Sequence, residues 1–368
     1  MINKLFKADW VLLGSVFLLL GIGLAVLYSI TNTGTESSSL TVFWRQVLYA
    51  GLAVAAMLFF ALSNFHYLRS YSTAIYFATL FVLLSVLIFG TTVRGTSGWI
   101  GLGAFRIQPV EISKIALIIF LASFISQKRM ELGETGRLVA SFILTSIMLI
   151  LVIKQPDFGS SMVLLSIWVG MTLVSGISRK LMLTIVFFAA IFSFVGWFQL
   201  APYQKDRIMS FVDPTRDPMG AGYNVKQSIV AVGSGGLTGK GIGHGSQSQL
   251  NFLPEKHTDF IFASIAEELG FLGSTFVIAL FGTVFYRIRR IAQTAPDNFG
   301  YLVAVGVLVM FFVQSFINIG MNMGIVPVTG IPLPFLSYGG SSLISVFAAV
   351  GILLNIYSRR ESAIKTEY

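Results

Sequence analysis

The sequence contains no cysteine, so it can hold neither a disulfide framework nor a thiolate metal site. Histidine is nearly as scarce: three scattered residues do not suggest an imidazole metal cluster. Charge is the third shortage. Only 11% of the 368 residues are Asp, Glu, Lys or Arg, where a soluble domain carries roughly a quarter. So few charges could not cover the surface of a water-soluble chain of this length. The short alternating segments of a membrane β-barrel are also missing. The glycine-rich stretch Gly233 to Gly245 has no GKS or GKT ending, as a nucleotide-binding P-loop would, and reads as a flexible loop element. No internal repeat of the kind many transporters carry is visible. No small-residue cleavage site follows the first apolar run, so no cleavable signal peptide is expected.

What the chain does have is apolar length. Hydrophobic residues make up 55% of it, with mean hydropathy +0.81, in runs of about 20 residues, enough to cross about 30 Å of hydrocarbon as helix. Ten spans are expected near Trp10–Tyr28, Trp44–Leu62, Tyr71–Phe89, Val110–Ser126, Leu138–Ile153, Phe158–Gly176, Leu181–Leu200, Asp259–Tyr286, Phe299–Ile319 and Ser341–Tyr357. The fold class is therefore an all-α integral membrane protein, a single polytopic domain over residues 1–368. Basic residues set its orientation. Lys4 and Lys7, Arg69, Lys128, Arg129 and Arg137, Arg179 and Lys180, Arg287, Arg289 and Arg290, and Arg359, Arg360 and Lys365 all fall on one side if both termini are cytoplasmic. The long connection 201–258 between the seventh and eighth spans is then extracytoplasmic. Its glycine, aromatic and apolar content, with the runs Ser228 to Val232 and Leu250–Leu253, argues for a segment folded back onto the membrane surface.

Charged residues inside or beside spans are functional candidates, because burying them in hydrocarbon costs several kcal/mol or so unless they are paired or hydrated. Glu111 and Lys114 stand three apart near the outer end of the fourth span, on one helical face and close enough to pair; a structural ion pair is the plain explanation. Pro156 opens the sixth span with Asp157 in its first turn, where an acid complements the helix dipole. Thr258 or Asp259 suits the N-cap of the eighth. Two turns deeper, Glu268 points away from Asp259 and Glu267 lies about 80° off it, so neither is expected to pair with it and both look like buried structural or hydrated acids. The outer side also carries unexpected basic charge: Arg45, Arg94, Arg106, Lys154, Lys205, Arg207, Arg216, Lys226, Lys240 and Lys256. Guanidinium groups suit phosphate oxygens, so an anionic lipid-linked substrate such as a diphosphate is a reasonable expectation, and nucleic acid is not.

Four strings then carry a resemblance. They are Gln108-Pro109-Val110-Glu111-Ile112-Ser113-Lys114, Lys154-Gln155-Pro156-Asp157-Phe158-Gly159, Leu253-Pro254-Glu255-Lys256-His257-Thr258-Asp259-Phe260-Ile261-Phe262 with Glu267-Glu268-Leu269-Gly270, and Pro327-Val328-Thr329-Gly330-Ile331-Pro332-Leu333-Pro334-Phe335 with Ser337-Tyr338-Gly339-Gly340-Ser341-Ser342. In order and spacing they resemble the SEDS family (shape, elongation, division and sporulation) of bacterial peptidoglycan glycosyltransferases, over essentially the whole chain. Val328 to Pro332 and Gln247 to Leu250 look like the elongation-type members rather than the division-type ones.

The resemblance implies ten membrane helices and multi-pass insertion in the bacterial cytoplasmic membrane with the active site outward. It implies polymerisation of lipid II into glycan strands with release of undecaprenyl diphosphate. It places the essential acid on Asp259, the intramembrane acid–base pair on Glu111 and Lys114, and further polar substrate-binding positions on Arg45, Asp157 and Arg207. Since the donor linkage is α and the product β, one inverting displacement with one general base suffices. A divalent cation, magnesium or manganese, could assist, although no ligand cluster in the sequence demands one and no cofactor is required. The implied partners are lipid II, the nascent glycan strand, membrane lipids and a class B penicillin-binding protein transpeptidase. On composition alone a flippase or transporter for the lipid-linked precursor, or a scaffold for other wall enzymes, would serve as well. A flippase would concentrate its polar residues at the midplane, whereas here they gather at outer helix ends and in one outer loop.

Overall fold

The computed structural model describes residues 8–32, 37–93, 96–102, 105–127, 133–178, 180–185, 198, 202–213, 220–250, 252–253 and 255–360. The long apolar runs form helices α1 (Trp10–Thr31), α2 (Ser37–Leu62), α3 (Ser72–Phe89), α4 (Pro109–Ser126), α5 (Glu134–Lys154), α6 (Phe158–Val174), α9 (Ile261–Gln293), α10 (Asn298–Asn322) and α11 (Gly340–Ser358). All but the 17-residue α6 contain a window long and apolar enough to span a membrane. The seventh expected span, Leu181–Leu200, lies largely outside the described residues, as do both termini.

Helix starts follow local chemistry. Asp9 caps α1 by accepting from Leu12 N at 3.0 Å, and Asp297 caps α10 through Gly300 N at 2.8 Å. Each satisfies an N–H that the helix itself leaves without a partner. Pro109 occupies the first turn of α4, where its missing N–H and fixed φ cost nothing. At the opposite ends, Arg287 of α9 makes a bidentate ion pair with buried Asp9, at 2.6–3.0 Å.

Three helices form the centre. In α4, α10 and α11, 78%, 67% and 72% of the apolar window is buried, against 28% in α2, α3 and α5. The outer helices instead expose Phe59, Phe81 and Phe89, an arrangement suited to hydrocarbon and not to water. Helix α11 packs along α2, α9 along α1 and α10, and α10 along α4 and α6. At Gly351 a Cβ would come within 2.3 Å of the Met57 carbonyl, so a small residue is what lets α11 approach α2 this closely.

Three features depart from the expected outline. Between α3 and α4 the chain forms a small antiparallel sheet, β1 (Thr91–Val93), β2 (Thr96–Leu102) and β3 (Phe105–Ile107), with Thr91 opposite Trp99 and Ile100 opposite Ile107. These β-branched and aromatic residues favour extended backbone but are too few to register beside the long apolar runs. The long connection 201–258 holds helices α7 (Pro202–Val212) and α8 (Ala221–Ser234) and the single turn Ser246–Gln249; α8 lies against α9 and α10. The eighth span starts at Ile261, not Asp259, and is interrupted at Gly270 (φ 67, ψ −164).

That interruption explains the glycine-rich stretch, which is pinned rather than a flexible loop element. A helix broken inside a membrane must find other partners for its backbone. Phe271 N and Leu272 N donate to the carbonyls of Gly236 and Leu237 at 2.9 and 3.1 Å, and the carbonyls of Glu267 and Glu268 accept from Lys240 N and Gly241 N at 3.0 Å each. A Cβ at Gly239 would stand 2.1 Å from the Glu268 carbonyl oxygen, and one at Gly270 2.2 Å from Gly239 N.

Candidate active site

Asp259 lies in the turn at residues 255–260 that leads into α9. It is not an N-cap: α9 is preceded by Phe260 and its start receives no side-chain capping bond. The turn is held from outside instead. Asn318 and Asn322, one helical turn apart on α10, both donate to the Asp259 carbonyl, at 3.0 and 2.9 Å. Asn322 also accepts from Ala263 N at 3.0 Å, and Asn318 donates to the Ile331 carbonyl at 2.8 Å. The Asp259 side chain is partly exposed, and one carboxylate oxygen stands 3.6 Å from where a Cβ of Gly330 would be.

The connection 323–339 between α10 and α11 gathers the rest. Phe335 is buried against Phe281, Phe311 and Phe347, ring centroids 5.3–6.4 Å away, and this packing holds it at φ 68, a conformation costly for a bulky residue. Ser337 donates to the Thr258 carbonyl at 2.7 Å, and Tyr338 N to the His257 carbonyl at 2.8 Å. Gln46 donates to the Ser337 carbonyl and accepts from Gly339 N, both at 3.2 Å. On another side, Gly159 of α6 meets the Thr329 carbonyl and Ile331, each 2.7 Å from where a Cβ would stand.

Asp157 is the N-cap of α6, rather than a first-turn residue. One of its oxygens accepts from Ser160 N at 2.9 Å, and the other from the Gln108 side chain at 3.1 Å. Gln108 N in turn donates to Ser341 Oγ at 3.0 Å. Glu111 and Lys114 form the expected pair at 2.6 Å, with side chains 3% and 1% exposed. Such a pair survives in an apolar setting because neither charge could be left there alone. Asp157 interacts electrostatically with both members. Residues from α2, α6, α10 and the turn before α9 therefore converge on one connection, in which Gly330 stands beside the Asp259 carboxylate and Thr329 beside Gly159, two residues from Asp157.

The remaining candidates sit differently. Arg45 on α2 is exposed, beside buried Gln46. Arg207 belongs to α7, and its side chain lies outside the described residues. Glu267 and Glu268 are fully buried. Lys256 is buried too, and its ammonium donates to the Ser248 carbonyl; burial holds its pKa below the usual lysine range, with Glu268 pulling the other way. Among the described residues no three His, Cys, Asp or Glu side chains come together as a metal site would require. Asn318, Asn322, Gln46 and Ser337 carry no charge that would mark them in the sequence; two asparagines four apart at the end of an apolar run are the signal it does hold.

A family model described as a cell cycle protein, covering FtsW, RodA and SpoVE, matches residues 9–362. The chain belongs to this family, the SEDS proteins. Stage V sporulation protein E of Bacillus subtilis (strain 168) is 42% identical, across 98% of this chain and 100% of that protein. The peptidoglycan glycosyltransferase MrdB of Escherichia coli (strain K12) is 38% identical, across 99% and 98%. Among solved structures, a chain from work on the structural coordination of polymerization and crosslinking by a peptidoglycan synthase complex matches with TM-score 0.81 at 29% identity, covering 96% of this chain and 98% of that one. The rod shape determining protein RodA of Thermus thermophilus matches with TM-score 0.71 at 26% identity, over 96% and 97%. This SEDS protein is thus an integral membrane protein with the fold of RodA.

Proposed function

We propose that this chain is a peptidoglycan glycosyltransferase of the elongation type, polymerising lipid II on the outer face of the bacterial cytoplasmic membrane. The names of its relatives support the activity. The observation that carries the mechanism is Asp259, whose backbone is fixed by two asparagines while its carboxylate stays partly exposed.

In one inverting displacement, the acceptor 4-hydroxyl attacks the anomeric carbon of the donor. The new glycosidic C–O bond forms as the bond to the diphosphate breaks, and the hydroxyl proton passes to Asp259. General-base assistance of this kind contributes about two to four orders of magnitude in rate. Undecaprenyl diphosphate leaves with the bonding pair, and Arg45 and Arg207 are the groups proposed to offset its charge. Lys114 is committed to Glu111, so this pair and Asp157, which is held by Gln108 and Ser160, act as one charged wall. Among the described residues no three carboxylate or imidazole side chains gather to offer a divalent cation a protein-held site.

A class B penicillin-binding protein is the proposed partner, in keeping with the synthase complex that the fold matches. Exposed Phe271, Leu272 and Phe276 on α9 and Phe312 and Phe316 on α10 offer apolar faces for its membrane helix. The deciding experiment is glycan polymerisation from lipid II by purified protein, with and without that partner. Asp259→Asn and Asp259→Ala should insert and fold but lose polymerisation. Near-normal synthesis by either would overturn the base assignment and return the lipid-linked precursor flippase to favour.

A further inference from the structure

Glu267 is placed in no step of the reaction above, yet it is among the most heavily bonded side chains of the described residues. Its carboxylate is fully buried. One oxygen accepts from Lys240 Nζ at 2.9 Å, from Gln247 N at 2.9 Å and from Ser246 Oγ at 3.4 Å; the other accepts from Ser248 N at 3.0 Å. All four donors lie in the segment 240–248, which precedes the Asp259 turn. Gly245 leaves the room for this: a Cβ there would meet a Glu267 carboxylate oxygen at 2.7 Å.

The far side of the same short turn is tied forward along the chain. The Ser248 carbonyl accepts from the buried Lys256 ammonium, and the Gln247 carbonyl from Leu253 N at 3.1 Å. Gln249 reaches across to the Ser29 carbonyl on α1 at 3.1 Å. The Ser246–Gln249 turn thus joins Glu267, two turns into α9, to Lys256, three residues before Asp259. The Asn318 and Asn322 bonds fix the carbonyl of Asp259 from α10, whereas the Ser246–Gln249 turn is anchored to α9, mainly through Glu267, with buried Glu268 accepting from Gln249 at 3.4 Å.

We infer that Glu267 is a positioning residue for Asp259, acting through the Ser246–Gln249 turn and Lys256. The inference rests on Asp259 being the base. A carboxylate is needed because it accepts from two backbone N–H groups and an ammonium at once. Glutamine at this position has one acceptor oxygen, and its amide N–H₂ would face donors. Buried donors left without acceptors are costly, so the turn shifts to solvate them and Asp259 moves with it. Displacement by about 1 Å is enough to lower a rate by about a hundredfold.

The test uses full-length protein with Glu267→Gln, Lys256→Met and the double substitution. Turnover and KM are measured with lipid II, and hydrogen exchange is followed over residues 246–260. Glu267→Gln should lower kcat at least tenfold with KM within about twofold, and exchange across 246–260 should rise. Lys256→Met, which cuts the same link from the other end, should reproduce both effects. The double variant should lose no more than the worse single one, as expected of residues acting in series. Glu267→Asp, which keeps both acceptor oxygens, should recover part of kcat. Exchange unchanged in Glu267→Gln, or additive losses in the double variant, would overturn the inference. Raised exchange with unchanged kcat would overturn it as well, whereas the base assignment itself fails only if Asp259→Asn or Asp259→Ala keeps near-normal synthesis. Failure of Glu267→Gln to fold shifts the decision to Lys256→Met, and failure of both would make the link a folding element and end the positioning claim.

Discussion

Asn322 holds Asp259 by its backbone: the amide donates to the Asp259 carbonyl at 2.9 Å while its own oxygen accepts from Ala263 N at 3.0 Å. One fully buried side chain therefore fixes residues on both sides of the start of α9, and leaves the Asp259 carboxylate unburdened by that task. Asn322→Ala strips a partner from Ala263 N and removes one of two donors at Asp259. An unsatisfied buried group costs about 1–3 kcal/mol, so the thermal midpoint in detergent should fall and lipid II turnover should fall with it. Asn322→Asp should do worse in turnover, because it sets a second carboxylate against the Asp259 carbonyl. Wild-type turnover in Asn322→Ala would show that the anchor is redundant with Asn318.

Gly159 gives a steric test of the connection 323–339. Alanine is the better helix former by about 1 kcal/mol, so on α6 alone Gly159→Ala would be stabilising. In the protein its Cβ would stand 2.7 Å from the Thr329 carbonyl and from Ile331, next to the residue that meets Asp259. Turnover should drop although the helix gains propensity. Gly51→Ala is the control, since a Cβ there meets nothing within 4 Å, and it should leave turnover unchanged.

Gly270 is a harsher case. Its backbone (φ 67, ψ −164) is a conformation essentially confined to glycine, with a strain of about 1–3 kcal/mol for other residues. Gly270→Ala would add contact with Gly239 N at 2.2 Å, breaking the exchange of backbone bonds between the glycine-rich stretch and α9. The expected outcome is a sharp loss of folded protein, read as yield and thermal midpoint. Equal loss is expected from Gly239→Ala, whose Cβ would press on the Glu268 carbonyl.

These residues also mark what could be read from sequence. The spanning helices were legible because hydrocarbon demands long apolar runs, and Glu111 and Lys114 were legible as a pair because three-residue spacing fixes their face. Asp157 and Asp259 both looked like caps. Asp157 is one, whereas Asp259 stands outside the helix, a difference of two residues in where α9 begins. Asn318, Gln46 and Ser337 act through backbone carbonyls distant in sequence, and no local pattern states such pairings. The glycine-rich stretch looked loose because its partners are backbone groups freed by a break at Gly270, visible only once two segments are placed together.

The Glu111–Lys114 pair can be tested by exchanging its charges. Removing one partner alone, as in Lys114→Met, leaves a carboxylate buried without its cation, and breaking a buried pair costs about 3–5 kcal/mol; little folded protein is expected. Glu111→Lys with Lys114→Glu restores a pair at the same i,i+3 spacing, so much of the folding should return. Activity should not, because the exchange inverts the charges seen by Asp157, which interacts with both members and shares Gln108 with the wall of the site. A carboxylate moved one helical turn inward would face the same neighbours with the opposite sign. The measurement is polymerisation per folded molecule, with folded fraction taken from size exclusion. Full activity in the exchanged protein would mean that the pair serves only to seat α4.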